Sequence, residues 1–266
     1  LLDGSSLSIR QLIDIAENNA KVDFLESIKT KITTCREKLE KQITERPEIA
    51  IYGANRLHGG LKDQEVPVEL IQEYQVKFMK VHNCGTGPAL PIPIVRAIMV
   101  IRLNSFARCM SGVGMAVCQL MIDMLNKGVT PWVLEEGSVG ASGDLVPLAM
   151  VGAVLIGLED SKAYYEGKLL SAPEALKNAG LKPVILGAKE AMGLINGSNF
   201  IAAFAAFAVR DSELLLKNSS ISAALSLEAI RGEKKAFSEI IHEKSNRHRG
   251  QIEIAREMRE LIAGSK

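Results

Sequence analysis

The stretch Gly137–Leu148 reads G-S-V-G-A-S-G-D-L-V-P-L and places three glycines within the seven residues that lead up to and follow Ser142. One interpretation is structural: Ser142 or Asp144 caps a helix that begins near Leu145, and the glycines turn the chain. Two other motifs are excluded. No lysine follows Gly143 as it would in a phosphate-binding loop, and the order G-A-S-G is not the G-x-S-x-G of a nucleophile elbow.

A second interpretation gives the serine a chemical role. Gly143 has no Cβ, so its backbone nitrogen is free to approach the carbonyl carbon of Ala141. Attack of that nitrogen closes a five-membered ring. Loss of water from the ring and of the Ser142 hydroxyl then leaves an exocyclic alkene conjugated with an imidazolone, which is a strong electrophile. Local physics alone leaves both interpretations open.

Composition excludes several classes of function. The 266 residues are 47% hydrophobic with a formal net charge of +1, which indicates a globular chain without the basic field typical of nucleic-acid binding. Apolar stretches are interrupted before the about 20 residues of a membrane span, and the opening L-L-D-G-S-S lacks a signal-peptide pattern. We therefore expect a cytoplasmic protein that binds neither nucleic acid nor membrane.

The cysteines and histidines show no metal-ligand spacing, so no metal is expected. Cys35, Cys84, Cys109 and Cys118 stand in hydrophobic surroundings, which favours reduced, buried thiols.

Helical periodicity dominates the chain. Ser8 and Gln11 form a capping-box pattern ahead of the first helix. The non-periodic residues 49–63 predict a loop, and Y-Y-E-G-K-L-L-S at 164–171 predicts a β-hairpin or a turn, which is the one strand signal. Further helices are predicted over residues 22–44, 67–82, 92–126 (one long helix or a broken pair), 187–217 and 219–266.

These elements predict an all-α fold. The best domain seam lies near Leu181 to Gly187, where Pro183 and Gly187 flank the start of a long helix. We expect a helical domain over residues 1–185, followed by residues 186–266 as the beginning of a helical bundle.

Several motifs occur together along the chain. In order they are L-D-G-S-S-L, G-S-V-G-A-S-G-D-L-V-P-L-A, L-I-N-G-S-N, A-L-S-L-E-A and G-Q-I-E-I-A. In sequence and order they resemble the signatures of the aromatic amino acid ammonia-lyases and aminomutases, and the histidine-acting members most closely. The resemblance covers essentially all of the chain and corresponds to the N-terminal half of the family.

This resemblance implies a fumarase/aspartase-like, all-α fold whose N-terminal domain bears a prosthetic group. It also implies that Ala141, Ser142 and Gly143 form 4-methylidene-imidazol-5-one (MIO) autocatalytically, without a metal. Asp144 would help to position the cyclising loop.

Three further site residues follow from the resemblance. Tyr52 corresponds to the loop tyrosine that removes the β-proton of the substrate, although a tyrosine that only packs the loop is the simpler structural alternative. A free phenol has a pKa of about 10, so such a base needs nearby positive charge or hydrogen-bond donors. Asn196 is similar to the asparagine that hydrogen-bonds the electrophile and the substrate amine. His82 falls where histidine-acting members carry a residue that contacts the substrate ring, or it serves as a helix-end dipole partner.

Two departures from the family pattern bear on function. The tyrosine loop reads Y-G-A-N-R-L-H-G-G, where Arg56, Leu57 and His58 replace small and aromatic residues, and Val81 replaces a serine. Arg56 would assist Tyr52, bind a carboxylate or point into water. The second departure is that the carboxylate-binding arginine in the second half of the family is missing. We therefore expect a second polypeptide, a tetramer-like oligomer, or both to complete the site.

The expected reaction is loss of ammonia from an aromatic L-amino acid, with histidine favoured through His82, by one part of a split enzyme or a fragment. The alternatives are a 2,3-aminomutase, which would return the amine to the β-carbon, and a non-catalytic assembly or regulatory subunit that keeps the fold.

Overall fold

The computed structural model describes residues 1–140, 143–245 and 248–265. Their α-helices are α1 (Ile9–Asn18), α2 (Glu26–Glu45), α3 (Ile71–His82), α4 (Ile92–Phe106), α5 (Met115–Lys127), α6 (Leu145–Leu155), α7 (Ala172–Asn178), α8 (Glu190–Ile195), α9 (Asn199–Ala229) and α10 (Arg249–Leu261). Their strands are β1 (Thr86–Ala89), β2 (Thr130–Pro131), β3 (Leu134–Glu136), β4 (Lys162–Tyr165) and β5 (Lys168–Ser171). The predominantly helical fold class predicted from the sequence is confirmed.

Helix α1 begins where the sequence predicts. The Gln11 backbone N–H donates to Ser8 Oγ at 3.3 Å, and Ser8 N–H donates to Gln11 Oε1 at 2.9 Å, which completes the capping box. The other end of α1 is satisfied by Arg96, which is buried in α4 and donates to the carbonyls of Ile15 and Ala16. A cation distant in sequence therefore donates to helix carbonyls that have no partner within α1.

Helices α4, α5 and α6 form the centre of the core. The 92–126 segment is a broken pair rather than one helix, because the chain turns between α4 and α5 with Cys109 at φ 58° and Gly112 at φ 73°. In α6, residues Pro147 to Leu155 are all buried. Helix α6 packs on α3 and α8, so the segment that precedes it is fixed against the core on its C-terminal side.

Short antiparallel strands flank this core. The predicted hairpin is confirmed, with Ala163 opposite Leu170, and β2 adds to it with Thr130 opposite Tyr164. The sequence did not predict β1, β2 or β3. Strands β1 and β3 pair with Thr86 opposite Glu136, where the periodicity indicated only a break after α3. Strands this short and rich in glycine and proline carry no period of their own.

The long helix predicted over residues 187–217 is wrong in two respects, because the chain breaks between α8 and α9 and because α9 continues past residue 217 to Ala229. Arg102 donates to the carbonyls of Gly193 and Asn196, and the Asp144 N–H donates to the Gly197 carbonyl at 2.7 Å. These contacts use carbonyls that a continuous helix would pair internally. The break leaves Asn196 at the C-terminal end of α8, outside regular helix.

The chain divides into two compact units, Leu1–Phe207 and Ala208–Lys266. The first contains the main core and every site residue discussed below. The second has a small core of Ala224, Met258 and Ile262, against which Leu227 and Phe237 pack. The predicted boundary between residues 185 and 186 stays a prediction about the domains of the whole protein.

Within the described residues, the stretch Glu190–Ala229 is long and apolar enough to cross a membrane by length and composition alone. Of its most apolar window, 44% is buried inside the protein. The absence of membrane binding therefore stays a prediction.

Candidate active site

Tyr52 lies in the loop between α2 and α3, and buried Asn55 holds that loop in shape. The Asn55 side chain accepts from Ile51 N–H at 2.7 Å and donates to the carbonyls of Pro47 and Ile49. The Tyr52 side chain is exposed, and its Oη accepts a hydrogen bond from the Gly59 backbone N–H at 2.9 Å. The loop therefore supplies a donor to the phenol oxygen from its own backbone.

Arg56 does not point into water, because it pairs with a carboxylate of its own loop. Its guanidinium donates to Glu65 Oε1 at 2.8 Å and to the Asn55 carbonyl at 2.9 Å, and the Arg56 side chain is only 14% exposed. Arg56 thus connects two segments of the loop, around residues 55 and 65.

His58 joins an aromatic group around α3. Its Nδ1 lies 3.0 Å from the Tyr74 hydroxyl, and its ring centroid lies 5.6 Å from that of His82 and 4.2 Å from that of Phe78. Burial, and secondarily the charge of His82, lower the pKa of His58. Burial, and secondarily the charge of Tyr52, raise the pKa of Tyr74 to about 12. At neutral pH this pair is therefore an uncharged imidazole and an uncharged phenol.

His82 is the last residue of α3 and is half-buried. Its Nδ1 lies 2.8 Å from the Phe78 carbonyl one turn earlier, so this nitrogen carries the proton in that contact and leaves Nε2 as an acceptor. The position suits both a helix-end role and a side chain that reads a ring through Nε2.

Asn196 and Gly143 meet at the break between α8 and α9. Gly143 has φ 126°, and a Cβ built on it would lie only 2.7 Å from Asn196 Oδ1. The amide side chain therefore lies directly against the backbone at Gly143. The other two residues of the predicted triplet, Ala141 and Ser142, lie outside the described residues.

Asp144 is 1% exposed and does not cap the helix that it precedes. Its Oδ2 accepts instead from the backbone N–H groups of Phe200 at 3.0 Å and Ile201 at 3.3 Å, and its Oδ1 accepts from Ser138 Oγ at 2.8 Å. Asp144 thus joins the glycine-rich segment to the start of α9.

A cavity of about 320 Å³ brings Tyr52 and Asn196 together, and Lys189, Arg102 and Met192 also line it. His82 is not among its lining residues. The structure thus places Tyr52 and Asn196 on one cavity and Gly143 against the Asn196 side chain. His82 lies instead in the aromatic group around α3, 5.6 Å from the ring of His58.

Sequence reasoning missed three residues of this region: Gly59, Lys189 and Arg102. The Lys189 Nζ donates to the Tyr52 carbonyl at 3.1 Å, and burial lowers the pKa of Lys189. Burial also lowers the pKa of Arg102 to about 10. Arg102 had a sequence signal, since a charge inside an apolar helix is rarely buried without a function. Gly59 and Lys189 had none, because their contacts depend on the folded loop.

The family model for aromatic amino acid lyases matches residues 7–266. A histidine ammonia-lyase of Treponema denticola is 40% identical over 262 residues, which are 98% of this chain and 51% of that protein. The crystal structure of histidine ammonia-lyase from Trypanosoma cruzi matches with a TM-score of 0.89 at 28% identity, over 97% of this chain and 50% of that one. The phenylalanine aminomutase of Pantoea agglomerans matches with a TM-score of 0.92 at 28% identity, over 99% of this chain and 50% of that one.

This chain belongs to the aromatic amino acid lyase family, which confirms the resemblance carried by its motifs. It spans about half the length of the curated relatives that it matches, 51% in the case of the Treponema denticola protein.

Proposed function

We propose that the chain is the N-terminal half of an ammonia-lyase that removes ammonia from an aromatic L-amino acid, with histidine as the first choice. The observation that carries the proposal is one cavity lined by Tyr52 and Asn196, with Gly143 against the Asn196 side chain, in a chain of this family. Relatives named histidine ammonia-lyase support histidine as the substrate.

The residues present fit an MIO group. Gly143 adopts φ 126°, a conformation that side chains rarely take, and it has no room for a Cβ beside Asn196. A position that must be glycine, followed by an anchored Asp144, is what cyclisation between residues 141 and 143 requires. Ala141, Ser142 and Gly143 would form the group, which supplies an electrophile that takes up the substrate amine or ring so that the nitrogen leaves readily.

The remaining steps belong to side chains of this chain. Tyr52 takes the β-proton of the substrate, and its phenol oxygen already accepts a hydrogen bond from the Gly59 backbone N–H at 2.9 Å. Asn196 directs its amide toward the Gly143 backbone and orients the substrate amine. His82 offers Nε2 to a ring N–H of the substrate.

Completion by a second polypeptide, or by the rest of a longer chain, is part of the proposal. Tyr52 and Asn196 are exposed, whereas proton abstraction is favoured in a site from which water is excluded. In the second compact unit, the consecutive residues Leu214, Leu215 and Leu216 are 54%, 72% and 53% exposed. Consecutive residues point in three directions around a helix, so this part of α9 suits a bundle that surrounds it. We place the assembled enzyme in the cytoplasm.

The test combines intact mass with product analysis on the protein in its natural extent, as a longer chain or as this chain with its second-half polypeptide. The proposal expects a mature mass that is lower by two waters at residues 141–143, and formation of urocanate from L-histidine. A β-amino acid product would instead identify an aminomutase, the activity named for the Pantoea agglomerans relative. A full-mass protein with an intact serine and no turnover would identify a non-catalytic assembly or regulatory subunit.

A further inference from the structure

Lys189 places a cation in the cavity that holds Tyr52 and Asn196. The residue has φ 71° directly before α8, a conformation that a lysine keeps only where the surrounding structure holds it. From there its Nζ donates to the Tyr52 carbonyl at 3.1 Å. An ammonium group has three donors, so two protons of Lys189 remain for a ligand.

No anion of the described residues faces this cation across the cavity, whose lining holds Lys189 and Arg102 but no carboxylate. The adjacent Glu190 is buried and already accepts hydrogen bonds from the N–H groups of Gly114 at 2.8 Å and Gly187 at 2.7 Å. The carboxylate of Asp144 is likewise occupied, by Ser138 and by the start of α9. The potential in the cavity is therefore positive.

Arg102 adds to this positive potential, although its two terminal nitrogens already donate hydrogen bonds within the protein. It is 6% exposed and donates to Asn199 Oδ1 and to the carbonyls of Gly193 and Asn196. Among the described residues, its Nε is a buried polar atom without a hydrogen-bond partner. A buried guanidinium that is not neutralised by an ion pair favours an anionic ligand nearby.

We propose that Lys189 binds the carboxylate of the substrate in this cavity. The inference rests on the proposed function, because it takes the ligand to be an α-amino acid. In such a ligand the carboxylate is attached to the carbon next to the β-carbon, so one cavity must present both the cation and the Tyr52 phenol. Lys189 satisfies this requirement because its Nζ is hydrogen-bonded to the Tyr52 carbonyl and both residues line the cavity.

A carboxylate has about four acceptor sites, so Lys189 leaves room for a further cation from the second half of the assembled enzyme. The ligand class is thus a free carboxylic acid with an aromatic side chain.

The test uses two pairs of competitive inhibitors that differ only at the carboxylate: 3-(imidazol-4-yl)propanoate with its amide, and 3-phenylpropanoate with its amide. Each is measured by calorimetry on the complete protein in the wild-type form and in the Lys189→Gln, Lys189→Arg and Lys182→Gln variants. Lys182 is an exposed lysine close in sequence and serves as the matched control. Thermal melting of each variant verifies that it is folded.

We expect the wild type to prefer the acid over the amide, and Lys189→Gln to lower that preference about tenfold to a hundredfold, the range of a charged hydrogen bond. Lys189→Arg should retain most of the preference, and Lys182→Gln all of it. A folded Lys189→Gln variant with an unchanged acid-to-amide ratio overturns the inference, as does a wild type without preference for either acid.

The outcome for the proposed function is read separately. A wild type that forms urocanate while Lys189→Gln keeps its acid preference leaves the lyase standing and removes the carboxylate role. If the wild type forms no product but prefers the acids, and Lys189→Gln loses that preference, the carboxylate site is supported and the lyase function is removed.

Discussion

The Asp144 carboxylate accepts a hydrogen bond from the Phe200 backbone N–H at 3.0 Å, across 56 positions of sequence. The N–H groups of the first turn of a helix have no partner within the helix, and an acidic side chain there satisfies them and complements the helix dipole. Asp144, which follows the glycine-rich segment, is therefore an N-terminal cap of α9. It holds that segment close to Asn196, at the C-terminal end of α8.

Replacing Asp144 is expected to destabilise the fold. In Asp144→Ala the N–H groups of Phe200 and Ile201 lose their acceptor inside a buried region, at a cost of about 2–3 kcal/mol in the free energy of unfolding. Urea unfolding of Asp144→Ala and of the wild type measures this loss of free energy. Ser138→Ala, which removes one neutral donor to the same carboxylate, should cost less than half as much; equal losses in the two variants would contradict the capping role.

Gly143→Ala is expected to prevent formation of the MIO group. The added Cβ would lie 2.7 Å from Asn196 Oδ1 on a backbone with φ 126°, so the loop must shift away from the geometry that cyclisation needs. The variant should keep the two waters that the wild type loses, as read by intact mass. Gly60→Ala is the control, because nothing lies within 4 Å of its added Cβ. Normal maturation of Gly143→Ala would show that glycine is not required there.

His58 should make stability depend on pH. Burial, followed by the charge of His82, lowers its pKa in the folded state below the ordinary value of 6.5, so the unfolded state binds more protons just below that pH. The free energy of unfolding is therefore expected to fall as pH drops from 6.5 toward the folded pKa of His58, and to be unaffected by this group above pH 7. Urea unfolding between pH 5 and 8 should show a shallower slope for His58→Gln. A folded His58→Gln variant that keeps the slope of the wild type would contradict this role of His58.

What the sequence could predict was the local part of this structure. The Ser8–Gln11 capping box and the hairpin around Gly167 depend on residues a few positions apart, and both are found where the pattern placed them. The break at residues 196–198 depends on Arg102 and Asp144, which are distant in sequence, so a continuous apolar period concealed it. Periodicity reports which face is buried but not which long-range donor interrupts a helix.

In the candidate site, too, some features could be predicted from the sequence and others depend on the folded chain. Family motifs pointed to Tyr52, Asn196 and Gly143, which the structure brings together, whereas the Gly59 and Lys189 contacts to Tyr52 arise only from the folded loop. The departure at Arg56 was visible in the sequence, but its partner Glu65 was not, because the pairing depends on how the loop closes.

The cysteines should differ in reactivity. The sequence favoured buried thiols throughout, and this is wrong for Cys84, which is exposed after α3, whereas Cys118 in α5 is fully buried and burial raises its pKa. Since the thiolate is the reactive form, iodoacetamide should label Cys84 within minutes and Cys118 only in denaturant. Peptide mass spectrometry reads the order of labelling. In Cys84→Ser the rapid phase should disappear, and its persistence would assign it to another thiol.

The apolar surface of α9 should make the chain associate with itself when its second half is absent. Leu215 and Leu225 are 72% and 67% exposed, and burial of one leucine side chain contributes about 1.5–3 kcal/mol. Size-exclusion chromatography with light scattering is expected to show oligomers of the chain alone, and fewer of them for the Leu215→Ser/Leu225→Ser variant. The same variant should assemble poorly with the second-half polypeptide. Lys217→Ser, on the same helix but without an apolar side chain, should change neither property. A wild-type chain that stays monomeric at high concentration, or a double variant that assembles normally, would show that these leucines do not form the missing interface.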